Sequence, residues 1–287
     1  MAETKVLVTG SKGMLGSILT EVLSAEFEVK GIDIEDSDII DTEKTTKIIK
    51  NYNPGIIIHT AGFTDVDECE LNQKKAFSIN SLGTKNVAGA ANEVGATLFY
   101  ISTDYVFDGK KSIPYTESDT PNPLNIYGKS KLEGEEIIRN NLTKYFILRT
   151  SWLFGPNGKN FVSTILQKAK ENDRLQVVDD QVGSPTYTLD LADAIRFLLS
   201  TLNSQLLSGY YGIYHITNAG SCSWYEFAKE IIFLKQLDTR ILPVSTAEYK
   251  RPARRPMMSA LDNSKLIAAF KLKLRPWQEA LRSSLIT

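Results

Sequence analysis

The amino-acid sequence predicts an α/β fold with a doubly wound parallel sheet and a smaller C-terminal substrate-binding lobe, on three observations. Short apolar runs alternate with amphipathic stretches of helical period through the first half of the chain, the pattern of repeated strand–helix–strand units. The runs are apolar at successive positions, as in strands covered by helices on both faces. A glycine-rich turn joins the first run to the first helical stretch.

Taken in order, Lys5–Val8 reads as the first strand and Met14–Ser24 as the first helix. Glu28–Ile34 is the second strand, and Thr42–Asn51 a helix that Pro54 closes. Ile56–His59, Leu98–Ile101 and Tyr145–Leu148 are the next three strands, separated by helices at Gln73–Val94 and Ile126–Arg139. The second half is less regular. Phe161–Asn172 and Leu189–Leu202 have helical spacing, and Tyr211–Ile216 reads as a last strand of the sheet. Trp224–Leu234 is a helix with aromatic anchors, followed by the basic stretch Arg251–Pro256 and a helical end. Residues 1–151, with roughly 187–217, are expected to form the sheet domain. Residues 152–186 and 218–287 are expected to form the smaller lobe over the carboxyl ends of the strands, where open α/β sheets bind ligands.

Composition narrows the classes. The chain has 42% hydrophobic and 23% charged residues and a formal charge of -1, so nothing points to a nucleic-acid partner. Its two cysteines, Cys69 and Cys222, are far apart, which argues against a disulfide framework or zinc ribbon. His59 and His215 are the only histidines and form no HExxH pattern, so no metal is expected. No apolar run reaches bilayer length and no signal peptide is read, giving the expectation of a cytoplasmic protein with no membrane partner.

Gly10-Ser11-Lys12-Gly13-Met14-Leu15-Gly16 carries the first chemical signal. Gly10 permits a sharp turn, Gly13 a close approach of backbone to pyrophosphate, and Gly16 close packing of the helix. The helix N-terminus then offers N–H groups and a partial positive charge to phosphate. The alternative is a glycine turn with no ligand; the strand–turn–helix context argues against it. The turn, including Lys12, Met14 and Leu15, is therefore assigned to a dinucleotide on a Rossmann-type sheet. No GxxxxGK[ST] occurs, so a phosphate-loop NTPase is excluded. Asp33, at the end of the second strand, suits ribose hydroxyls and repels a 2′-phosphate, which favours NADH, with NADPH possible. Asp41 is a weaker candidate, for the adenine.

Tyr127 and Lys131 lie four apart on a predicted helix and share a face. A phenol titrates near ~10, and a neighbouring ammonium is expected to lower that value. The pair can then give a proton to a carbonyl oxygen as hydride reaches carbon. Ser102 and Thr103 end the fourth strand, and one of their hydroxyls is expected to polarise the substrate oxygen. The alternative is a surface Tyr and Lys on an amphipathic helix.

Together these residues resemble the extended short-chain dehydrogenase/reductase family, with Thr103, Tyr127 and Lys131 matching its catalytic set. Ser102-Thr103-Asp104-Tyr105-Val106-Phe107, Arg149-Thr150-Ser151-Trp152, Asn160-Phe161, Asp180-Gln181, Gly183-Ser184-Pro185-Thr186 and Arg254-Arg255-Pro256 resemble, in order, the dTDP-4-dehydrorhamnose reductase branch. The resemblance implies reduction of the C4 keto group of a dTDP-linked dehydro-rhamnose by NADH or NADPH. It implies a cofactor lined by Ala61, Gly62, Phe63 and Thr64, and a sugar nucleotide touching Thr64, Val66, Thr103, Asp104, Tyr105, Trp152 and Asn160. Trp152 offers a flat apolar wall, and Arg254 and Arg255 offer fork-like donors to a diphosphate; the alternative for the arginines is a solvated basic turn. Some members form dimers around a magnesium ion held by glutamates. Ile18 and Leu189 stand at the matching positions here, so a monomer or metal-free homodimer is expected. Asp65, Asp67, Glu68 and Glu70 read as acidic residues at a helix start. Two other readings stay open: a reductase or epimerase of another nucleotide-linked keto-sugar, and a non-catalytic regulatory protein on the same fold.

Overall fold

The computed structural model describes residues 4–202 and 209–286. Six strands form one parallel sheet: β1 (Lys5–Thr9), β2 (Glu28–Ile32), β3 (Ile56–His59), β4 (Thr97–Thr103), β5 (Tyr145–Thr150) and β6 (Gly212–His215), in the spatial order β6-β5-β4-β3-β1-β2. The order reverses at β1, which pairs with β2 on one side and β3 on the other. That reversal opens a crevice at the carboxyl ends of β1 and β3.

The eleven α-helices of the described residues are α1 (Met14–Leu23), α2 (Thr42–Tyr52), α3 (Val66–Leu71), α4 (Gln73–Phe77), α5 (Thr84–Val94), α6 (Ile126–Asn141), α7 (Phe161–Glu171), α8 (Thr188–Leu202), α9 (Trp224–Leu234), α10 (Ser264–Phe270) and α11 (Trp277–Ile286). Successive strand residues point to opposite faces. Val6 and Val8 pack with Leu19, Leu191 and Ile195 of α1 and α8, while Leu7 packs with Ile49, Val87 and Ile138 of α2, α5 and α6. A third core joins Ile165, Leu175, Phe227, Ile231, Trp277 and Leu281, all from the second half.

The strands and long helices lie where the periodicity puts them, with local differences. β2 stops at Ile32 because the Asp33 carboxylate accepts the backbone N–H groups of Lys12 and Ile34, which turns the chain. The single helix expected over Gln73–Val94 is α4 and α5 joined by a π-helical turn at Ser78–Gly83. Gly83 sits in that turn, where an added Cβ would meet Ile39 Cδ1 at 2.6 Å. The parallel pair Arg174–Val178 and Arg240–Val244 was not expected. Each run mixes apolar and polar residues and is short, so its period carries little signal.

Candidate active site

The glycine turn forms a tight cradle. Gly10 has φ +68°, and an added Cβ would meet Ala61 backbone atoms at 2.7 Å. A Cβ at Gly16 would collide with the Gly10 carbonyl, so α1 can start this close to the turn only with glycine there. No side chain caps α1 and its first turn holds no acidic residue, which leaves its N-terminus to an anion. A cleft of about 280 Å³ opens beside it, lined by Gly10, Gly13, Asp33, Ala61 and Gly62 together with Ser37, Asp38 and Ile39. Glycines that a Cβ would fill, a helix N-terminus without a side-chain cap and an adjoining cleft fit a dinucleotide. The exposed Lys12 ammonium pairs with Glu35 at 3.1 Å. Asp41 does not line this cleft: its carboxylate caps α2 by accepting from the Lys44 N–H. Phe63 is pinned instead by Asn80, whose amide both accepts from its N–H at 2.7 Å and donates to its carbonyl at 3.0 Å.

Tyr127 and Lys131 do share a face of α6, and the helix is fixed from several sides. Asn125 caps it through the Gly128 N–H, and Glu70 accepts from the Ile126 N–H. A Cβ at Gly128 would collide with the Tyr105 carbonyl, so glycine lets the helix start against the segment that follows β4. One turn past Lys131, the fully buried Glu135 pairs with Arg149 of β5 at 2.6 Å and accepts from Ser102 at 2.5 Å. Ser102 is held by Glu135, while the Thr103 hydroxyl donates to the Asp104 carboxylate at 3.1 Å and accepts from the Tyr105 N–H at 3.1 Å, and its nearness favours the Tyr127 phenolate.

One electrostatic expectation is corrected. Burial, not a neighbouring cation, dominates Tyr127 and pushes its phenol well above the ordinary value, with the charge of Asp104 adding to it. The phenol therefore keeps its proton at neutral pH, as a donor must. Lys131 is only 5% exposed. Its ammonium donates to the Ile101 carbonyl at 2.7 Å and lies 4.0 Å from the Tyr100 ring centroid. Burial brings its pKa down to about 7, against the pull of Glu135. Both histidines are buried and pushed down to about 3, and His59 bridges Thr9 and Thr84.

A larger cleft of about 1040 Å³ is lined by Tyr105, Phe161, Gln181, Trp224, Arg251, Arg254 and Arg255 among others. Arg255 and Arg251 both pair with Asp67 of α3, at 2.9 and 3.1 Å, so Asp67 ties the basic stretch to the sheet side as well as opening a helix. Asp65 provides the helix cap, accepting from the Asp67 and Glu68 N–H groups. Tyr105 edges onto Tyr127 at 5.9 Å between centroids, and Lys131 Nζ lies 4.0 Å from where a Gly62 Cβ would stand. The Tyr127–Lys131 pair thus sits between the two clefts. Thr64 is exposed and Val66 opens α3, both after the β3 end.

Two expected substrate contacts do other work. Trp152 does not line the large cleft: with φ +47° it stacks on Trp224 at 3.4 Å, filling the space left by Gly183, and Trp224 presents the aromatic wall. Asn160 caps α7 and donates to the Gly155 carbonyl at 2.8 Å, bracing the loop over Met14. The residues missed by sequence reading are Asn80, Asn125, Gly128 and Trp224. Asn125 alone had a local signal, an N-cap residue just before the helical run.

Among the described residues no helix is long and apolar enough to cross a membrane, and no cluster of three or more His, Cys, Asp or Glu stands ready for a metal. The RmlD substrate binding domain model matches residues 4–287. The chain is 43% identical to the spore coat polysaccharide biosynthesis protein SpsK of Bacillus subtilis, over 98% of this chain and 97% of that one. It is 40% identical to a dTDP-4-dehydrorhamnose reductase of Aggregatibacter actinomycetemcomitans, over 97% of each. The crystal structure of dTDP-4-dehydrorhamnose reductase from Bacillus anthracis in complex with NADP superposes with a TM-score of 0.93 at 41% identity, covering 99% of both chains.

Proposed function

The chain belongs to the RmlD family, that of the dTDP-4-dehydrorhamnose reductases, and from that premise we propose that it reduces the C4 keto group of dTDP-4-dehydro-L-rhamnose to give dTDP-L-rhamnose, with NADH or NADPH as reductant. The observation that carries the reading is the Tyr127–Lys131 pair on α6, set between a glycine cradle and an arginine-lined cleft and facing Thr103. When bound, the reduced nicotinamide supplies the hydride. Residues 1–151 with 187–217 hold the coenzyme, and 152–186 with 218–287 hold the sugar nucleotide. Tyr127 gives its proton to the sugar carbonyl oxygen, and Thr103 steadies the phenolate left behind. Lys131 brings a charge that strengthens as the phenolate forms. Arg254 and Arg255 take the diphosphate.

Asp33 suits the free ribose hydroxyls of NADH, and the exposed Lys12 ammonium offers a cation to a 2′-phosphate. The reading admits both coenzymes, and the NADP bound by the Bacillus anthracis relative supports NADPH beside the NADH that Asp33 favours. The test is an absorbance assay of coenzyme oxidation against dTDP- and UDP-linked 4-keto-6-deoxy sugars. Fastest oxidation with the dTDP-linked dehydro-rhamnose is expected. Sugar interconversion without net oxidation, or no oxidation with any member, overturns the reading.

A further inference from the structure

The large cleft carries one polar side chain whose orientation the fold decides. Gln181 lines the cleft and is only 5% exposed. Its Nε2 donates to the Thr246 hydroxyl at 2.9 Å. That hydroxyl has a single proton, which goes to Asp180 Oδ1 at 2.5 Å, so Thr246 can only accept from Gln181. Asp180 is held in turn by the Thr246 N–H, at 3.0 and 2.9 Å from its two oxygens. The amide nitrogen of Gln181 is therefore fixed toward Thr246. Its Oε1 is left as an acceptor that takes no hydrogen bond from the described residues and is not sealed in the core, so it opens into the cleft. Trp224 and Phe161 form an aromatic wall of the same cleft, with ring centroids 4.4 Å apart, and Trp152 backs Trp224. Ser223, which caps α9, donates to Asp179 at 2.6 Å and ties that wall to the residue two before Gln181.

We propose that Gln181 reads the base of the sugar nucleotide, its Oε1 accepting the N3–H of a thymine- or uracil-type ring that lies against the Trp224–Phe161 wall. This assignment rests on the reductase reading above and names the group that selects its base. The imide edge of such a ring has a donor at N3 between two carbonyl acceptors. It meets the fixed acceptor with a donor and leaves a carbonyl for the second proton of Nε2. Cytosine has a bare acceptor at N3, which sets two lone pairs against each other. A buried acceptor left without a donor costs more than its bond is worth, and that asymmetry turns one amide into a filter. The aromatic wall gives every base its stacking energy and chooses none. Thr246 and Asp180 act through Gln181, as positioning residues. Without the Thr246 hydroxyl the amide is free to turn and offer its nitrogen instead. Thymine and uracil share this edge, so Gln181 does not separate them.

Calorimetry on the full chain tests this with dTDP, dUDP, dCDP and N3-methyl-dTDP. The parent should bind dTDP and dUDP at least about tenfold more tightly than the other two, the scale of an acceptor left unpaired. Gln181→Ala should bring all four within about threefold of one another, by weakening dTDP and dUDP. Thr246→Val should narrow the gap between dTDP and dCDP by strengthening dCDP, a gain that loss of structure does not give. The assignment fails if the parent binds N3-methyl-dTDP as tightly as dTDP, if Gln181→Ala weakens all four equally, or if none of the four binds. A 3′-deoxy analogue of dTDP covers the deoxyribose hydroxyl. A loss with it that disappears in Gln181→Ala would put Oε1 on that hydroxyl and overturn the base reading. Where Gln181→Ala does not fold, the parent series and Thr246→Val decide. Turnover is read separately. A base preference without turnover on any keto-sugar tells against the reductase reading alone, and turnover without a base preference tells against Gln181 alone.

Discussion

At the scale of single residues, the site divides labour between a phenol that burial keeps protonated and an amine that burial brings close to neutrality. Replacing Tyr127 by Phe removes the donor and leaves the glycine cradle untouched. Turnover should fall at least ~100-fold, the usual scale for a general acid, while coenzyme binding followed by fluorescence stays near the parent value. Turnover close to normal would remove Tyr127 from the mechanism. Lys131 carries a second, thermodynamic consequence. Its pKa is about 7 when folded and near ~10.4 in the unfolded chain. Between those values the unfolded chain binds more protons, so this group makes the protein more stable as pH rises through the window and costs most below it. Lys131→Met should therefore stabilise the protein at pH near ~6 and gain little near ~10. Thermal melts of the two proteins at both pH values measure this; a gain that does not shrink with pH would mean that Lys131 stays charged in the fold. The Tyr127–Lys131 spacing was legible because it is local. The burial that sets both pKa values comes from distant segments, and no spacing rule contains it.

At the scale of elements, α6 starts where its period puts it, at Ile126, while its support comes from elsewhere in the fold. Its period was readable. The clamp that fixes it was not, since Glu135, Ser102 and Arg149 are brought together only by the pairing of β4 with β5. A buried pair of this kind is costly to break, because removing one partner strands the other charge. Arg149→Ala should cost about 3–5 kcal/mol, read by denaturant unfolding. A loss under ~1 kcal/mol, the worth of an exposed pair, would show that water reaches Glu135. Gly128 makes a different demand. An alanine there must push the start of α6 away from the Tyr105 carbonyl, moving Tyr127 off Thr103. The expectation for Gly128→Ala is a fall in kcat larger than its loss of stability explains. The glycine turn teaches the same lesson from the other side. Its three glycines were legible because their reasons lie within the turn or against the next strand end. Trp224 was not, because its role as a cleft wall depends on Trp152 stacking behind it across the fold.

At the scale of the whole molecule, the parallel sheet was legible and the second half only partly so. Continuous apolar strands announce a sheet covered on both faces, whereas the third core is assembled from α7, α9, α11 and a strand pair of mixed pattern. Asp67 shows what such long-range assembly hides. Read in sequence, it is one acid among four at a helix start. In the fold it joins α3 to Arg251 and Arg255 on the wall of the large cleft. Burial opposes its charge, yet the bonds from Arg255, Ala253 and Arg251 hold its carboxyl below the ordinary value, so it stays ionised. On the proposed reading, a diphosphate arriving at Arg255 must share it with a carboxylate of its own sign. Asp67→Asn keeps the size and one acceptor while removing the charge, and Arg255 retains its bond to the Ala253 carbonyl at 2.8 Å. Affinity for dTDP, measured by calorimetry at low salt, should rise about three- to tenfold, and the gain should shrink as salt screens the site. Weaker binding would mean that the carboxylate matters more for holding the guanidinium groups in place than for opposing the ligand, and that the arginines need both of Asp67's oxygens to receive a phosphate.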